Sequence, residues 1–165
     1  MSERGCGGFQ PIGPMLSINR PQTHAMTTIL HIDSSILGAH SVIRGFTADV
    51  IVIGAPMYNF AVPSQLMAWI DRVCVAGKTV RDGPNGPEGL VKGKTVYVGS
   101  TRGGVCTGDS PIAGLDHQES DLRVALGVIG LTDVTIVRVE GLAKGRETKD
   151  HAVAGAKAQG AALAA

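Results

Sequence analysis

Met57, Tyr58, Asn59 and Phe60 place a thioether, two aromatic rings and an amide on four consecutive residues. They follow the apolar run Val50-Ile51-Val52-Ile53 through Gly54-Ala55-Pro56, and an amphipathic pattern starts just beyond them at Ser64. A buried parallel strand that ends in such a loop sets its rings at the carboxyl edge of a sheet, where open α/β sheets bind ligands. Rings there can pack on a flat ligand, and Asn59 can hydrogen-bond a polar edge. The whole chain holds only one Trp, two Tyr and three Phe, so this pair of rings stands out.

A second group, Thr101-Arg102-Gly103-Gly104, ends another apolar run, Thr95 to Gly99. Two glycines let the backbone come close to a ring and present N–H donors to carbonyl oxygens; the same residues also make an ordinary tight turn. A third group, Ser34-Ser35 with Ser41, follows the first apolar run, Thr27 to Ile32. Hydroxyls and N–H groups at a helix start form a phosphate cradle, or simply a Ser-rich turn. A flat ring with carbonyl oxygens on one edge describes a flavin.

Other chemistries find less support. Gly93-Lys94-Thr95 ends like a phosphate-binding loop, but Glu88 stands where the first glycine is required and a strand follows where a helix should. The five histidines show no ligand spacing, and His117-Gln118-Glu119 reads as a capping or surface turn rather than as an acid/base or metal group; no metal and no catalytic acid or base is assigned. Cys6, Cys74 and Cys106 form no CxxC pair, and an odd count suits a reducing cytoplasm. Cys106 is either a reactive thiol or a small semi-buried residue. A net charge of +1 gives no reason to expect nucleic acid or an anionic membrane, and no apolar run is long enough to span a bilayer.

The elements that must carry these loops follow from periodicity. Of the 165 residues, 44% are hydrophobic and 18% charged, which suits one globular domain. Residues 1–25 lack periodicity and are expected to be a disordered extension, with the domain over 26–165. Strands are predicted at Thr27–Ile32, Val50–Gly54, Thr95–Gly99 and Val134–Val139, and helices at Ser64–Ala76, Ser120–Gly130 and Glu147–Ala164. The Gly/Pro-rich stretch from Lys78 to Leu90 is predicted to be an exposed loop. This alternation implies a doubly wound parallel sheet. The stretch from Ser34 to Thr47, about 14 residues, lies between the first two strands, close to the minimum for a parallel crossover. One sheet face is therefore expected to be thinly covered, and the edge near Val50 exposed.

Asp33 to Leu37, Ala55 to Phe60, Asn85 to Leu90, Arg102-Gly103-Gly104 and Leu126 to Val134, in that order, resemble the FMN-dependent NADH-azoreductases, also called NADH:quinone reductases. The resemblance implies a flavodoxin-like fold, noncovalent FMN, NADH as electron donor, a quinone or azo compound as acceptor, and a homodimer. It also implies that Ser35 and Ser41 touch the FMN phosphate, that Met57, Tyr58, Asn59 and Phe60 line the ring, and that Thr101, Arg102, Gly103 and Gly104 meet its polar edge. Against the family pattern the first helix and second strand are missing. The alternatives are an inactive truncated fragment and an FMN-binding electron carrier.

Overall fold

The computed structural model describes residues 27–30 and 48–163. The predicted extension over residues 1–25 and the candidate residues Ser35 and Ser41 lie outside the described residues.

Four parallel strands form the sheet: β1 (Thr27–Leu30), β2 (Val50–Pro56), β5 (Thr95–Thr101) and β6 (Asp133–Val139), in the spatial order β1-β2-β5-β6. Helix α1 (Ser64–Val73) and a hairpin, β3 (Val80–Gly83) with β4 (Gly86–Gly89), separate β2 from β5. Helix α2 (Gln118–Val128) precedes β6, and α3 (Arg146–Leu163) follows it. Among the described residues, no helix is long and apolar enough to cross a membrane.

Strand periodicity fixes which residues make the core. Ile51, Ile53 and Ala55 of β2, Val96 and Val98 of β5 and Ile136 of β6 point to one face and are buried there. Leu66, Trp69, Ile70 and Val73 from α1 and Leu122 and Leu126 from α2 close over them. Burying each such side chain contributes about 1.5–3 kcal/mol before entropy is subtracted. The opposite face is less covered: Val52, Tyr97 and Gly99 are half-buried and Gly54 is exposed. Helix α3 packs along β6 and buries no residue fully.

The sheet departs from expectation at its edge. Val50 pairs with Thr27 on one side and Thr95 on the other and is buried, so β2 is an interior strand and β1 lies at the sheet edge. A second departure is the stretch from Lys78 to Leu90. Instead of a loop it forms the β3–β4 hairpin, whose strands meet across Pro84-Asn85. Arg81 donates from Nε and Nη2 to Glu88 Oε2 at 2.9 and 2.8 Å across the pair. The Gly and Pro residues that read as breakers mark the turn and the strand ends. Helix α1 also stops three residues short of Ala76, because Thr79 Oγ1 donates to Val73 O and accepts from Val75 N, tying off its carboxyl end.

The hairpin is seated by a glycine–glycine contact. A Cβ on Gly89 would stand 2.1 Å from Gly130 N and 2.4 Å from Gly130 Cα, both backbone atoms. Gly89→Ala is therefore expected to lower stability by about 2 kcal/mol or more. Gly127→Ala, inside α2 with nothing within 4 Å of the added methyl, is expected to raise it by about 0.5–1 kcal/mol. Denaturant titration of both variants checks the pair; equal effects would refute the contact.

Candidate functional site

Two loops meet at the carboxyl edge of β2 and β5. Pro56 pairs with Thr101 in the sheet, and Met57 N extends the ladder by donating to Thr101 O at 2.8 Å. The chain then reverses. Tyr58 N donates to Ala61 O at 3.2 Å and Ala61 N to Tyr58 O at 2.9 Å. Between them Asn59 and Phe60 both take positive φ, 48° and 65°. This is the backbone of a primed hairpin turn, which asparagine tolerates and phenylalanine resists. Holding Phe60 there costs of order 1–3 kcal/mol. His117 N donates to Phe60 O at 3.0 Å, bracing the turn from the start of α2.

The turn carries its side chains outward. Tyr58 is 53% and Phe60 37% exposed, Asn59 is exposed, and Met57 is half-buried. A shallow depression beside them is lined by Tyr58, Asn59, Ala61, Val62, Gln65 and Met67, among others.

The second loop, 102–107, is built from backbone. Its carbonyls are tied down one after another: Leu142 N donates to Arg102 O, Ala143 N to Gly103 O and Gly141 N to Gly104 O, at 2.8–3.0 Å. Ser110 Oγ donates to Val105 O at 2.7 Å. The N–H groups of Gly103, Gly104 and Val105 donate to no acceptor among the described residues. Gly103 and Val105 are exposed. Three successive N–H groups without acceptors among the described residues make a run of donors suited to anionic or carbonyl oxygens.

Arg102 behaves differently from the sequence reading. Its side chain is only 1% exposed and points under the loop, so it offers no group to a ligand. Nη1 bonds Asp116 Oδ2 at 2.5 Å and Glu140 Oε1 at 3.4 Å, Nη2 bonds Glu119 Oε1 at 2.5 Å, and Nε bonds Ser100 Oγ at 3.2 Å. Its N–H donates to Val139 O, so its backbone is committed as well. The expectation that Arg102 meets a ligand edge is corrected: the residue supports the loop from below. Its charge is consumed by three carboxylates, so the loop attracts negative charge through its N–H groups.

Further buried polar residues complete this support. Ser100 Oγ donates to Gln118 Oε1 at 2.7 Å, and Gln118 Nε2 donates to Ala55 O at 3.0 Å, linking α2 to β2. Arg138 donates from Nε and Nη2 to Glu119 at 2.5 and 2.6 Å. The Arg138 hydrogen bond is the main reason that the Glu119 carboxyl titrates below the usual glutamate range. Cys106 is buried, and burial pushes its thiol above the ordinary value, which suits a packed residue better than a nucleophile. Asp116, Gln118, Glu119, Glu140 and the Val105 N–H were not singled out from sequence as site residues. The one available signal was a lone arginine at the end of a buried strand, which demands carboxylate partners without saying which.

Comparison with known proteins bears on this edge. A family model described as the flavodoxin-like fold matches residues 44–163. The FMN-dependent NADH:quinone oxidoreductase of Azospirillum brasilense is 54% identical over 117 residues, which cover 71% of this chain and 56% of that one. The protein of the same name from Bradyrhizobium sp. is 56% identical over 118 residues, covering 72% and 59%. The chain thus spans a little over half the length of these relatives. Among solved structures, an azoreductase from Bacillus anthracis str. Sterne superposes with a TM-score of 0.66 at 26% identity, over 76% of this chain and 62% of that one. An FMN-dependent NADH-azoreductase from Bacillus anthracis str. Ames Ancestor, solved in complex with FMN, gives 0.66 and 26% over 77% and 62%.

Two outcomes follow from the geometry. A carboxyl titrating low in the folded protein adds stability above the unfolded glutamate pKa, about 4.3, and loses it as pH falls toward the folded value. Between about pH 5 and pH 3 the melting temperature should fall, and Arg138→Gln should flatten that slope; thermal melts across this range decide, and identical slopes would refute the assignment. Phe60→Gly removes a large ring but relieves its backbone, so its stability should stay within about 1 kcal/mol of the parent, as read by denaturant titration.

Proposed function

The chain belongs to the flavodoxin-like fold family, and on that premise we propose that it is an FMN-dependent oxidoreductase carrying electrons from NADH to quinones and azo compounds. The observation that carries this reading is the run of N–H groups at Gly103, Gly104 and Val105, without acceptors among the described residues, on a loop that the Met57–Thr101 bond joins to the turn bearing the exposed rings of Tyr58 and Phe60. A ligand with a flat face and an edge of carbonyl oxygens fits both features at once. Relatives named for FMN dependence and a structural neighbour solved with FMN support the same ligand.

Bound FMN would supply the redox chemistry, taking a hydride equivalent from NADH and giving up two electrons to the acceptor. The protein's own part is binding and electrostatics. Met57, Tyr58, Asn59 and Phe60 give the ring a contact surface. Gly103 and Gly104, with Val105, donate N–H groups to its polar edge, and Thr101 anchors the two loops to each other through Met57. Fixed donors aimed at an oxygen-rich edge favour electron density there, at little reorganisation cost. Ser35 and Ser41 would hold the phosphate. Arg102 contributes by keeping the donor loop in shape. We assign no acid or base residue to the reaction. The protein would act as a cytoplasmic homodimer, with a planar quinone or azo acceptor taking the place that NADH leaves.

A second reading has its own observation. The chain spans 56% of its Azospirillum relative, and the stretch from Ser34 to Thr47 between the first two strands is only about 14 residues long. This favours a fragment that keeps the ring loops but has lost affinity at the phosphate end.

Titrating FMN fluorescence with the purified chain separates the two. Saturable binding in the micromolar range (about −8 kcal/mol), followed by bleaching on anaerobic NADH addition, is the expected result. No binding at hundreds of micromolar FMN would support the fragment. A flavin reduced only by a partner enzyme would indicate an electron carrier. Gly104→Val tests the donor loop itself. A methyl at Gly104 meets only Ile112 Cδ1, at 3.7 Å, so the fold tolerates a side chain there. The variant should nonetheless bind FMN at least tenfold more weakly, about 1.4 kcal/mol, and Phe60→Gly severalfold more weakly.

A further inference from the structure

We propose that Glu140 is the positioning residue of the donor loop, the group that turns the N–H groups of Gly103, Gly104 and Val105 toward a ligand without touching the ligand itself. This rests on the flavin reading of that loop.

The argument starts from what a single carboxylate holds. Glu140 directly follows β6, and its side chain is 16% exposed. Oε1 accepts from Cys106 N at 2.8 Å and from Arg102 Nη1 at 3.4 Å, while Oε2 accepts from Thr107 Oγ1. It therefore grips the loop where it leaves the strand and where it comes to rest, on both sides of residues 103–105. The residues just after Glu140 do the complementary work: Gly141, Leu142 and Ala143 donate to the carbonyls of Gly104, Arg102 and Gly103. All the loop carbonyls from 102 to 104 are thus drawn to the 140–143 segment. A peptide whose carbonyl is held on one side presents its N–H on the other, so the donor array faces away from that segment.

Glu140 also explains why the array stops at Val105. The next N–H, that of Cys106, is spent on the Glu140 carboxylate. Without that acceptor the Cys106 N–H would lose its partner in a partly buried setting, an arrangement that backbones avoid by rotating. Rotation of the Val105–Cys106 segment would disperse the neighbouring donors. Arg102 holds Glu140 in turn, and it keeps Asp116 and Glu119 as partners whatever stands at position 140.

The test compares Glu140→Ala with Glu140→Gln. Glutamine keeps an acceptor oxygen for Cys106 N and an amide that can donate to Thr107 Oγ1, so it should rescue the loop. In the FMN-free protein, amide hydrogen exchange should speed up in Glu140→Ala at Cys106, Gly141, Leu142 and Ala143, with β2 and β5 unchanged. The same variant should bind FMN at least tenfold more weakly, and Glu140→Gln within about threefold of the parent. A Glu140→Ala protein that binds FMN as tightly as the parent overturns the proposal. So does exchange that rises equally throughout the sheet, or a Gln variant as weak as the Ala variant, since either marks a merely structural residue. Should Glu140→Ala fail to fold, Thr107→Val removes one half of the grip: weaker FMN binding at an unchanged melting temperature supports the proposal, and unchanged binding overturns it. If the parent itself binds no FMN, the flavin reading falls, while exchange at those four amides still decides whether Glu140 shapes the loop.

Discussion

A guanidinium buried at the end of a central strand is the constraint on which this edge of the molecule depends. Arg102 leaves β5 at 1% exposure, and an unpaired charge in that position would cost several kcal/mol. The fold meets the demand by bringing carboxylates from three places: Asp116 ahead of α2, Glu119 in its first turn and Glu140 beyond β6. These same residues set the loops. Asp116 Oδ1 accepts from the Gln118 N–H at 3.0 Å and caps α2, Gln118 reaches across to β2, and Glu140 closes the 102–107 loop. Satisfying one cation thus fixes the relative positions of β2, β5, β6 and α2 where their ends form the site. The ion web is better understood as a device for specificity of arrangement than as a source of net stability, since buried pairs often do no better than apolar packing.

Much of the architecture was legible because it depends on period. The apolar run at Val50–Ile53 and the spacing of Leu66, Trp69, Ile70 and Val73 dictate which faces are buried, and both behave as the pattern requires. The hairpin at Val80–Gly89 was not legible by the same means. Its strands are four residues long and carry Gly and Pro, so neither alternation nor propensity marks them; a cross-strand Arg81–Glu88 pair and a glycine contact with Gly130 hold it instead. Both are tertiary facts. Arg102 fails for a related reason. An arginine between Thr101 and two glycines looks like a ligand group in one dimension, and only the meeting of three distant carboxylates turns it inward. The free N–H groups beside it were half legible: Gly103 and Gly104 suggested close approach, but the contribution of Val105 depends on where the carbonyls go.

The strained turn at Asn59-Phe60 takes the opposite course from the donor loop. There the side chains are what the loop presents, and the backbone bears the cost of presenting them. A phenylalanine at φ 65° that stays 37% exposed gains only part of the burial that could offset the strain. Such a residue is held by its surroundings: the paired bonds between Tyr58 and Ala61, and the His117 N–H on its carbonyl. One loop presents rings and the other presents donors, and the bond from Met57 to Thr101 locks them edge to edge. A ligand that satisfies both must be flat on one surface and rich in oxygen along one side.

This division is contained within a chain that spans little more than half the length of its relatives. Among the described residues, those that shape the two loops lie between Val50 and Ala143, and each is tied to another in the same range. The stretch from Ser34 to Thr47, where the candidate phosphate contacts Ser35 and Ser41 stand, lies outside the described residues. The donor loop and the aromatic turn are held by strand ends and by the carboxylates around Arg102.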